Sequence, residues 1–135
     1  MTIVISNIKT TPVLIPFRRP PATASGAISE LPLVLLDVET DVGLTGHAYL
    51  FVFLKSMLKP TMSCVAAIEE LVRGMSADPE QIDPLLRQRL RLLDIHGILG
   101  QVLAGLDMAL WDIRAKSKEL SLAKVLGEPR EYVKT

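Results

Sequence analysis

Hydrophobic and polar residues alternate along the N-terminal part of the chain, which is the period expected of β-strands. The alternation predicts three strands, at about residues 3–17, 31–40 and 44–53. Asp41-Val42-Gly43 supplies turn chemistry between the last two strands. Pro12 indicates that the first strand lies at a sheet edge, because proline cannot donate a ladder hydrogen bond. The sequence therefore predicts an antiparallel meander.

The third predicted strand has two contrasting faces. One face is small and aliphatic, which suits packing beneath helices: Leu44, Gly46, Ala48, Leu50 and Val52. The other face is polar at its start and aromatic at its end: Thr45, His47, Tyr49, Phe51 and Phe53. Either these rings only cover the second face of the sheet, or a partner or second domain covers them, since large exposed aromatic patches are unusual on monomers.

A long loop joins the first two predicted strands. Residues 18–30 are rich in proline, glycine and small side chains, and loops of this length are typical of mobile lids or disordered segments. In a meander, the end of strand one, the start of strand two and the end of strand three meet at one sheet edge. We therefore expect the loop beside Tyr49, Phe51 and Phe53.

Beyond residue 53 apolar residues recur every three or four positions, which predicts helices. The expected helices span about residues 60–75, 79–93, 98–118 and 122–126, the second with Leu90 and Leu93 on its apolar stripe and with Pro84 as an alternative start. Strands followed by helices, rather than alternating with them, predict an α+β fold with a three- to four-helix bundle.

Composition restricts the function more than it identifies it. Fifteen basic residues balance fifteen acidic ones, so no net field favours nucleic acid or an anionic membrane. Cys64 is the one cysteine, so no internal disulfide forms, and its apolar context predicts a buried hydrophobic side chain. We recognise no signal peptide and no membrane-spanning run, which predicts a soluble, cytoplasmic protein.

The polar residues offer few catalytic candidates. His47 is predicted to be a packed, hydrogen-bonded strand residue, and His96 a helix C-terminal cap. Lys116 and Lys118 lie at the end of a predicted helix, where two residues correspond to roughly 200° of rotation. Their amines should diverge, which indicates a basic helix terminus that favours the macrodipole.

Three stretches of the chain resemble one known family. Residues 31–53 read LPLVLLDVETDVGLTGHAYLFVF, residues 104–116 read AGLDMALWDIRAK, and residues 120–130 read LSLAKVLGEPR. Together they resemble the N-terminal capping domain of the enolase superfamily, of the mandelate racemase/muconate lactonizing enzyme type. Their order and spacing also fit, and the resemblance covers nearly the whole chain.

The resemblance implies a capping domain without its (β/α)8 barrel. Residues 1–126 would form that domain, and residues 127–135 would lead into the first barrel strand. In this family the loop after strand one closes over the substrate together with residues after strand three. Carried over to this chain, the implied substrate-capping residues are Pro21, Thr23, Ile28, Tyr49, Phe51 and Phe53. They would exclude water and set specificity.

The chemistry implied by the resemblance lies outside this sequence. The family uses Mg²⁺, held by carboxylates on barrel strands, with lysine or histidine bases, so the resemblance implies no catalytic residue and no metal ligand here. The aromatic strand end favours racemisation of a mandelate-like α-hydroxy carboxylate. The alternatives are a sugar-acid dehydratase or cycloisomerase, and a stand-alone module without catalysis. The implied partners are the small-molecule substrate, the missing barrel and further copies of the chain.

Overall fold

The strands precede the helices, as the hydrophobic pattern predicts. The computed structural model describes residues 2–24, 26–93 and 95–127. Its strands are β1 (Ile5–Pro16), β2 (Ala22–Thr23), β3 (Gly26–Ala27), β4 (Glu30–Thr40) and β5 (Thr45–Phe51). Its helices are α1 (Leu58–Val72), α2 (Pro79–Arg89), α3 (Gly97–Ser117) and α4 (Leu122–Val125), with a 3₁₀ turn at Lys55–Met57 before α1. The described residues form an α+β domain and contain no (β/α)8 barrel.

The main sheet is an antiparallel meander in the order β1-β4-β5. Pro16 pairs with Glu30 at one end of β1 and β4, and Leu33 pairs with Phe51 at the end of β5. The end of β1, the start of β4 and the end of β5 therefore share one edge of the sheet, as predicted. At the opposite edge, Gly43 has a φ of 79° in the turn between β4 and β5, a conformation that favours glycine.

β1 is an edge strand, which confirms the interpretation of Pro12. The Ile8 amide points out of the sheet and donates to the Glu69 carboxylate on α1 at 2.9 Å. Pro12 lies four residues further along and shares that outward orientation, because the backbone orientation repeats every second residue. Its missing N–H therefore costs the β1–β4 ladder no hydrogen bond.

One face of the sheet packs against α1 and α3 to form the core. Val34, Leu36 and Val38 on β4 are fully buried there. Glycine makes the β5–α3 contact close: a Cβ on Gly46 would collide with the Ala109 carbonyl. The small aliphatic face predicted for the third strand is therefore the helix-facing one.

Side chains of α3 cover the outer edge of β5. Lys116 Nζ donates to the Thr45 carbonyl at 2.7 Å, Asp112 accepts from the His47 amide at 2.9 Å, and Gln101 donates to the Phe51 carbonyl at 3.4 Å. Partial burial acts to raise the pKa of Asp112, but the hydrogen bonds from Lys116 and the His47 amide outweigh it. The pKa of Asp112 therefore lies below its ordinary value.

The second helix ends earlier than predicted. Asp78 caps its N-terminus by accepting from the Glu80 amide, and Pro84 lies inside the helix rather than at its start. The helix closes at Arg89, with Leu90 as its C-cap. Leu93 lies beyond that end and is 59% exposed, so its predicted place on the apolar stripe is wrong. The prediction extended past Arg89 because Leu90 and Leu93 continue the spacing of three to four residues between apolar positions.

The two histidines also differ from their predictions. His96 is the N-cap of α3, not the C-cap of the preceding helix, because α2 has already ended seven residues earlier. His47 is hydrogen-bonded, through Nδ1 to Asp37 at 2.8 Å, but its side chain is exposed rather than packed. It lies on the face of the sheet turned away from the helices, in the row of Lys9 and Asp37. Lys116 and Lys118 lie at the C-terminus of α3, as predicted.

Candidate functional site

The loop between β1 and β4 is a short hairpin. Its base is closed by a hydrogen bond from the Phe17 amide to the Ser29 carbonyl at 3.0 Å. Further out, the Ile28 amide donates to the Pro21 carbonyl at 3.0 Å, and β2 and β3 pair beyond it. The sequence predicted a mobile or disordered loop and missed this strand pairing, because strands of two residues are too short to show a hydrophobic period.

The segment after β5 contains a strained turn. The Leu54 amide donates to the Val52 carbonyl at 2.6 Å, which makes a three-residue γ-turn centred on Phe53. Phe53 has a φ of 60°, a left-handed conformation that is unfavourable for a bulky residue. Its side chain is nevertheless 62% exposed. Non-glycine residues held in this conformation cluster at functional sites.

The hairpin and the strained turn face each other across a cleft of about 570 Å³. Its lining comprises Leu14, Thr23, Gly26, Ala27, Ile28, Ser29, Glu30, Pro32, Phe53, Leu54 and Lys55. Most of these side chains are apolar or small, and Glu30 and Lys55 supply the charges. A cleft of this size with few polar groups can hold a small organic molecule.

The structure brings three of the six predicted capping residues to this cleft. Thr23, Ile28 and Phe53 line it. The Thr23 hydroxyl donates to the Gly26 carbonyl at 2.7 Å, which holds the tip of the hairpin closed. Phe51 lies behind the lining, with its ring centroid 4.1 Å from that of Phe53. Their contact with a substrate stays a prediction.

Pro21 and Tyr49 do not line the cleft. Pro21 is exposed and contributes its carbonyl to the hairpin. Tyr49 lies two residues before Phe51, about 7 Å back along the strand, and is 62% exposed. It lines a separate groove of about 650 Å³ beside Met108, Trp111 and other residues of α3 and α4. The alternation of residues along the strand predicted the correct face of the sheet for Tyr49, but it did not predict the distance between Tyr49 and the hairpin.

Sequence reasoning missed several lining residues, among them Leu14, Glu30, Leu54 and Lys55. The third strand was expected to run to residue 53 and the first helix to begin at residue 60, so the segment between them carried no prediction. In the structure β5 ends at Phe51 and α1 begins at Leu58. The irregular segment between these elements forms one wall of the cleft, and no hydrophobic period marks it.

The described residues do not provide a metal site or an activated thiol. Within residues 2–24, 26–93 and 95–127, no group of three or more histidine, cysteine, aspartate or glutamate side chains could hold a metal ion. None of these residues is therefore assigned as a ligand of the magnesium ion, whose ligands the family resemblance places outside this chain. Cys64 is only partly buried, not the buried side chain that its apolar context predicted. This partial burial raises the pKa of its thiol, which keeps it protonated at neutral pH. Over the same residues, no helix has the length and apolar character needed to cross a membrane.

A third concave region lies between α2 and α3, away from the hairpin. It measures about 460 Å³ and includes Asp83, Arg87, Asp107 and Trp111. Burial, followed by the nearby Asp83 carboxylate, raises the pKa of Asp107. Arg87 pairs with Asp83 at 2.8 Å, four residues apart on α2, as is usual on a helix surface.

Comparison with known proteins gives a consistent result. The profile described as "Mandelate racemase / muconate lactonizing enzyme, N-terminal domain" matches residues 5–127. An enolase from Bradyrhizobium, crystallised with magnesium and mandelic acid, is 35% identical with a TM-score of 0.87, over 93% of this chain and 35% of that one. L-talarate dehydratase from Polaromonas sp. JS666, crystallised with magnesium and L-glucarate, is 22% identical with a TM-score of 0.82, over 96% of this chain and 36% of that one. This chain thus spans about a third of the length of these relatives.

Proposed function

Because this chain belongs to the mandelate racemase/muconate lactonizing enzyme family and matches the N-terminal domain of its members, we propose that it caps the active site of a larger magnesium-dependent racemase of α-hydroxy carboxylates. The observation that carries the proposal is the apolar cleft between the hairpin and the strained turn at Phe53. The enolase crystallised with mandelic acid, 35% identical to this chain, supports this substrate class.

In this proposal the chain excludes water and sets specificity. Thr23 and Ile28 on the hairpin would close one side of the substrate, and Phe53 would close the other. Removing water lowers the local dielectric constant, which strengthens the electrostatic interactions on which proton abstraction next to a carboxylate depends. The apolar lining favours an aryl or otherwise apolar substituent on the substrate.

The proton-transfer groups and the metal ligands would come from the rest of the enzyme. The described residues have no carboxylate cluster suited to magnesium, and we assign no catalytic step to any of them. On its own, this chain should therefore not catalyse the reaction. We further propose residues 1–126 as the capping domain and 127–135 as a link to the barrel; residues 128–135 of that link lie outside the described residues.

A sugar-acid dehydratase is the second candidate. L-talarate dehydratase, crystallised with L-glucarate, has this fold at 22% identity, so the fold itself is compatible with either activity. The lining of the cleft favours the racemase, because a polyhydroxylated chain needs many hydrogen-bond partners. Only four of the eleven lining residues offer one from a side chain: Thr23, Ser29, Glu30 and Lys55.

Replacing Phe53 in the full-length enzyme tests the proposal. Phe53→Ala should raise KM for mandelate several-fold, or shift the preference between mandelate and glucarate, because it removes one apolar wall of the cleft. The magnesium affinity should not change. Val42→Ala is the matched control, since Val42 is also exposed but lies in the turn at the opposite sheet edge.

Unchanged kinetics for Phe53→Ala on every substrate tested would remove the residue from the site. A separate observation tests the enzyme itself: the coding sequence beyond Thr135 should contain a lysine or histidine base on a strand and spaced acidic ligands. If it contained neither, the chain would instead be a non-catalytic module of this fold.

A further inference from the structure

A proline lies in the central strand of the main sheet, next to the point where β5 ends. Pro32 is the third residue of β4; it is buried and borders the cleft. Prolines within sheets are normally confined to edge strands, because proline has no N–H to donate to a neighbouring strand. The place of Pro32 in a central strand therefore requires a local explanation.

The β4–β5 register shows which hydrogen bond Pro32 cannot make. Leu33 pairs with Phe51, so the next pair along the ladder would be Pro32 with Val52. The Val52 amide donates to the Pro32 carbonyl at 3.2 Å, which shows that the backbone of Pro32 faces the β5 side. In an antiparallel pair of this type the two residues exchange two hydrogen bonds. Pro32 cannot donate the second one, so the Val52 carbonyl has no ladder partner and β5 ends at Phe51.

The carbonyl that the ladder leaves unpaired is the one that closes the strained turn. Val52 is 5% exposed, and a buried carbonyl without a hydrogen-bond partner is unfavourable. The Leu54 amide donates to this carbonyl at 2.6 Å, and Phe53, at the centre of the resulting γ-turn, has a φ of 60°. This turn sets the position of Phe53 on the wall of the cleft.

We propose that Pro32 is a positioning residue for the cleft: because it has no N–H for Val52, it ends β5 and selects the turn that holds Phe53 in place. An N–H at position 32 would compete with the Leu54 amide for the Val52 carbonyl. The ladder bond would prevail, because it extends the sheet and releases Phe53 from its left-handed conformation. Leu54 is 62% exposed, so water can replace the lost partner of its amide.

Crystal structures of the full-length enzyme test this inference directly. Pro32→Ala and Pro32→Val both restore the N–H, and valine also keeps most of the buried volume in case alanine impairs folding. In each variant residue 32 should pair with Val52, and the φ of Phe53 should become negative. Pro12→Ala is the matched control, because Pro12 is also a strand proline but its nitrogen faces away from the sheet. Phe53 should keep its positive φ in that variant.

Kinetics measure what the turn contributes to the cleft, and this part of the inference rests on the proposed function. Pro32→Val should raise KM for mandelate about fivefold and leave kcat within about twofold, because one wall of the cleft moves while the catalytic groups stay. In a Phe53→Ala background the same change should have little effect, since no ring remains to be positioned. A direct contact between Pro32 and the substrate would instead raise KM in both backgrounds and would overturn the positioning role.

The structural and functional outcomes can be told apart. A positive φ at Phe53 in both Pro32 variants would overturn the inference and leave the proposed function intact. A negative φ with no change in KM would show that the turn does not serve the cleft, which also overturns the positioning role. If the unmodified enzyme acted on no α-hydroxy carboxylate in the presence of magnesium, the proposed function would fail, and the positioning role for the substrate with it.

Discussion

Phe53 combines a functional position with an unfavourable backbone conformation. An L-residue in the left-handed region costs roughly 1–2 kcal/mol relative to ordinary helical geometry, a cost that glycine avoids. Phe53→Gly should therefore be more stable than Phe53→Ala by about 1 kcal/mol, the reverse of the usual order outside such positions. Denaturant midpoints of the two variants measure the difference.

Leu54 provides the control for Phe53. Leu54 is equally exposed but has an extended backbone, with φ −123° and ψ 135°. There the glycine variant should be the less stable one, because glycine has more conformational freedom to lose on folding. If alanine were preferred at both positions, the left-handed conformation of Phe53 would not be a source of strain.

Thr61 is a buried hydroxyl without a hydrogen-bond partner within the described residues. It has 0% exposure on the face of α1 that packs on the sheet, in line with Val65 and Ile68. Thr61→Val keeps the shape and removes the desolvated hydroxyl, so it should raise the free energy of unfolding by about 1 kcal/mol. Thr61→Ser keeps the hydroxyl and loses the methyl group, so it should be destabilising. A loss of stability in Thr61→Val would indicate a hydrogen bond at that hydroxyl.

For individual residues, the sequence predicted the kinds of side chain at the cleft better than it predicted which positions line the cleft. Thr23, Ile28 and Phe53 were identified by resemblance and do line one cleft. Tyr49 was included among the capping residues although it does not line the cleft. The alternation of residues shows on which face of a strand a side chain lies, but not how far along the strand it is from the hairpin. Lys55 was missed because it lies in a segment without secondary-structure period. The φ of 60° at Phe53 occurs where the chain passes from β5 to the 3₁₀ turn, and no local sequence pattern encodes it.

At the scale of elements, β5 and α3 pack closely at Gly46. A side chain at Gly46 would meet the Ala109 carbonyl and the Ile113 side chain, and the carbonyl belongs to a helix that cannot shift alone. Gly46→Ala should therefore cost about 2–3 kcal/mol through overpacking, measured by chemical or thermal unfolding.

Gly43→Ala separates this steric effect from ordinary glycine effects. Gly43 has open space around it and a φ of 79°, so alanine there should cost only about 1 kcal/mol, from backbone strain. Equal losses at the two positions would contradict the close β5–α3 contact.

The elements themselves were largely predictable, because amphipathic helices and half-buried strands carry strong periods. The long stripe of α3, with Val102, Leu106 and Leu110, appears as expected. The exceptions are short or interrupted elements. The β2–β3 hairpin has only two residues per strand, and α2 ends before two further leucines that suggested its continuation.

At the scale of the whole molecule, exposed large apolar side chains are concentrated in two regions of the surface. The exposed residues include Tyr49, Phe53, Leu54, Met108, Leu120, Leu122 and Leu126. Many of them lie around the cleft and around the groove beside α4. This distribution favours a domain that is normally covered by a larger body over a stand-alone module.

The isolated chain should therefore bind 8-anilinonaphthalene-1-sulfonate and associate as its concentration rises. Met108→Gln together with Leu122→Gln should reduce both effects, because both side chains border one groove. Val42→Gln, a change in an exposed turn, should reduce neither dye binding nor association. Size-exclusion chromatography and dye titration make the measurement, and a monodisperse chain that leaves the dye dark would favour the stand-alone module.

The partly occupied edges of the sheet influence what form such association takes. On β5, three α3 side chains hydrogen-bond to outward backbone groups, and on β1 Glu69 accepts from the Ile8 amide while Pro12 has no N–H. Each edge therefore lacks an uninterrupted row of free backbone groups. Amyloid growth requires a strand with free backbone groups as a template. Association of this chain should consequently proceed through its apolar side chains, giving dispersible clusters that do not bind thioflavin T.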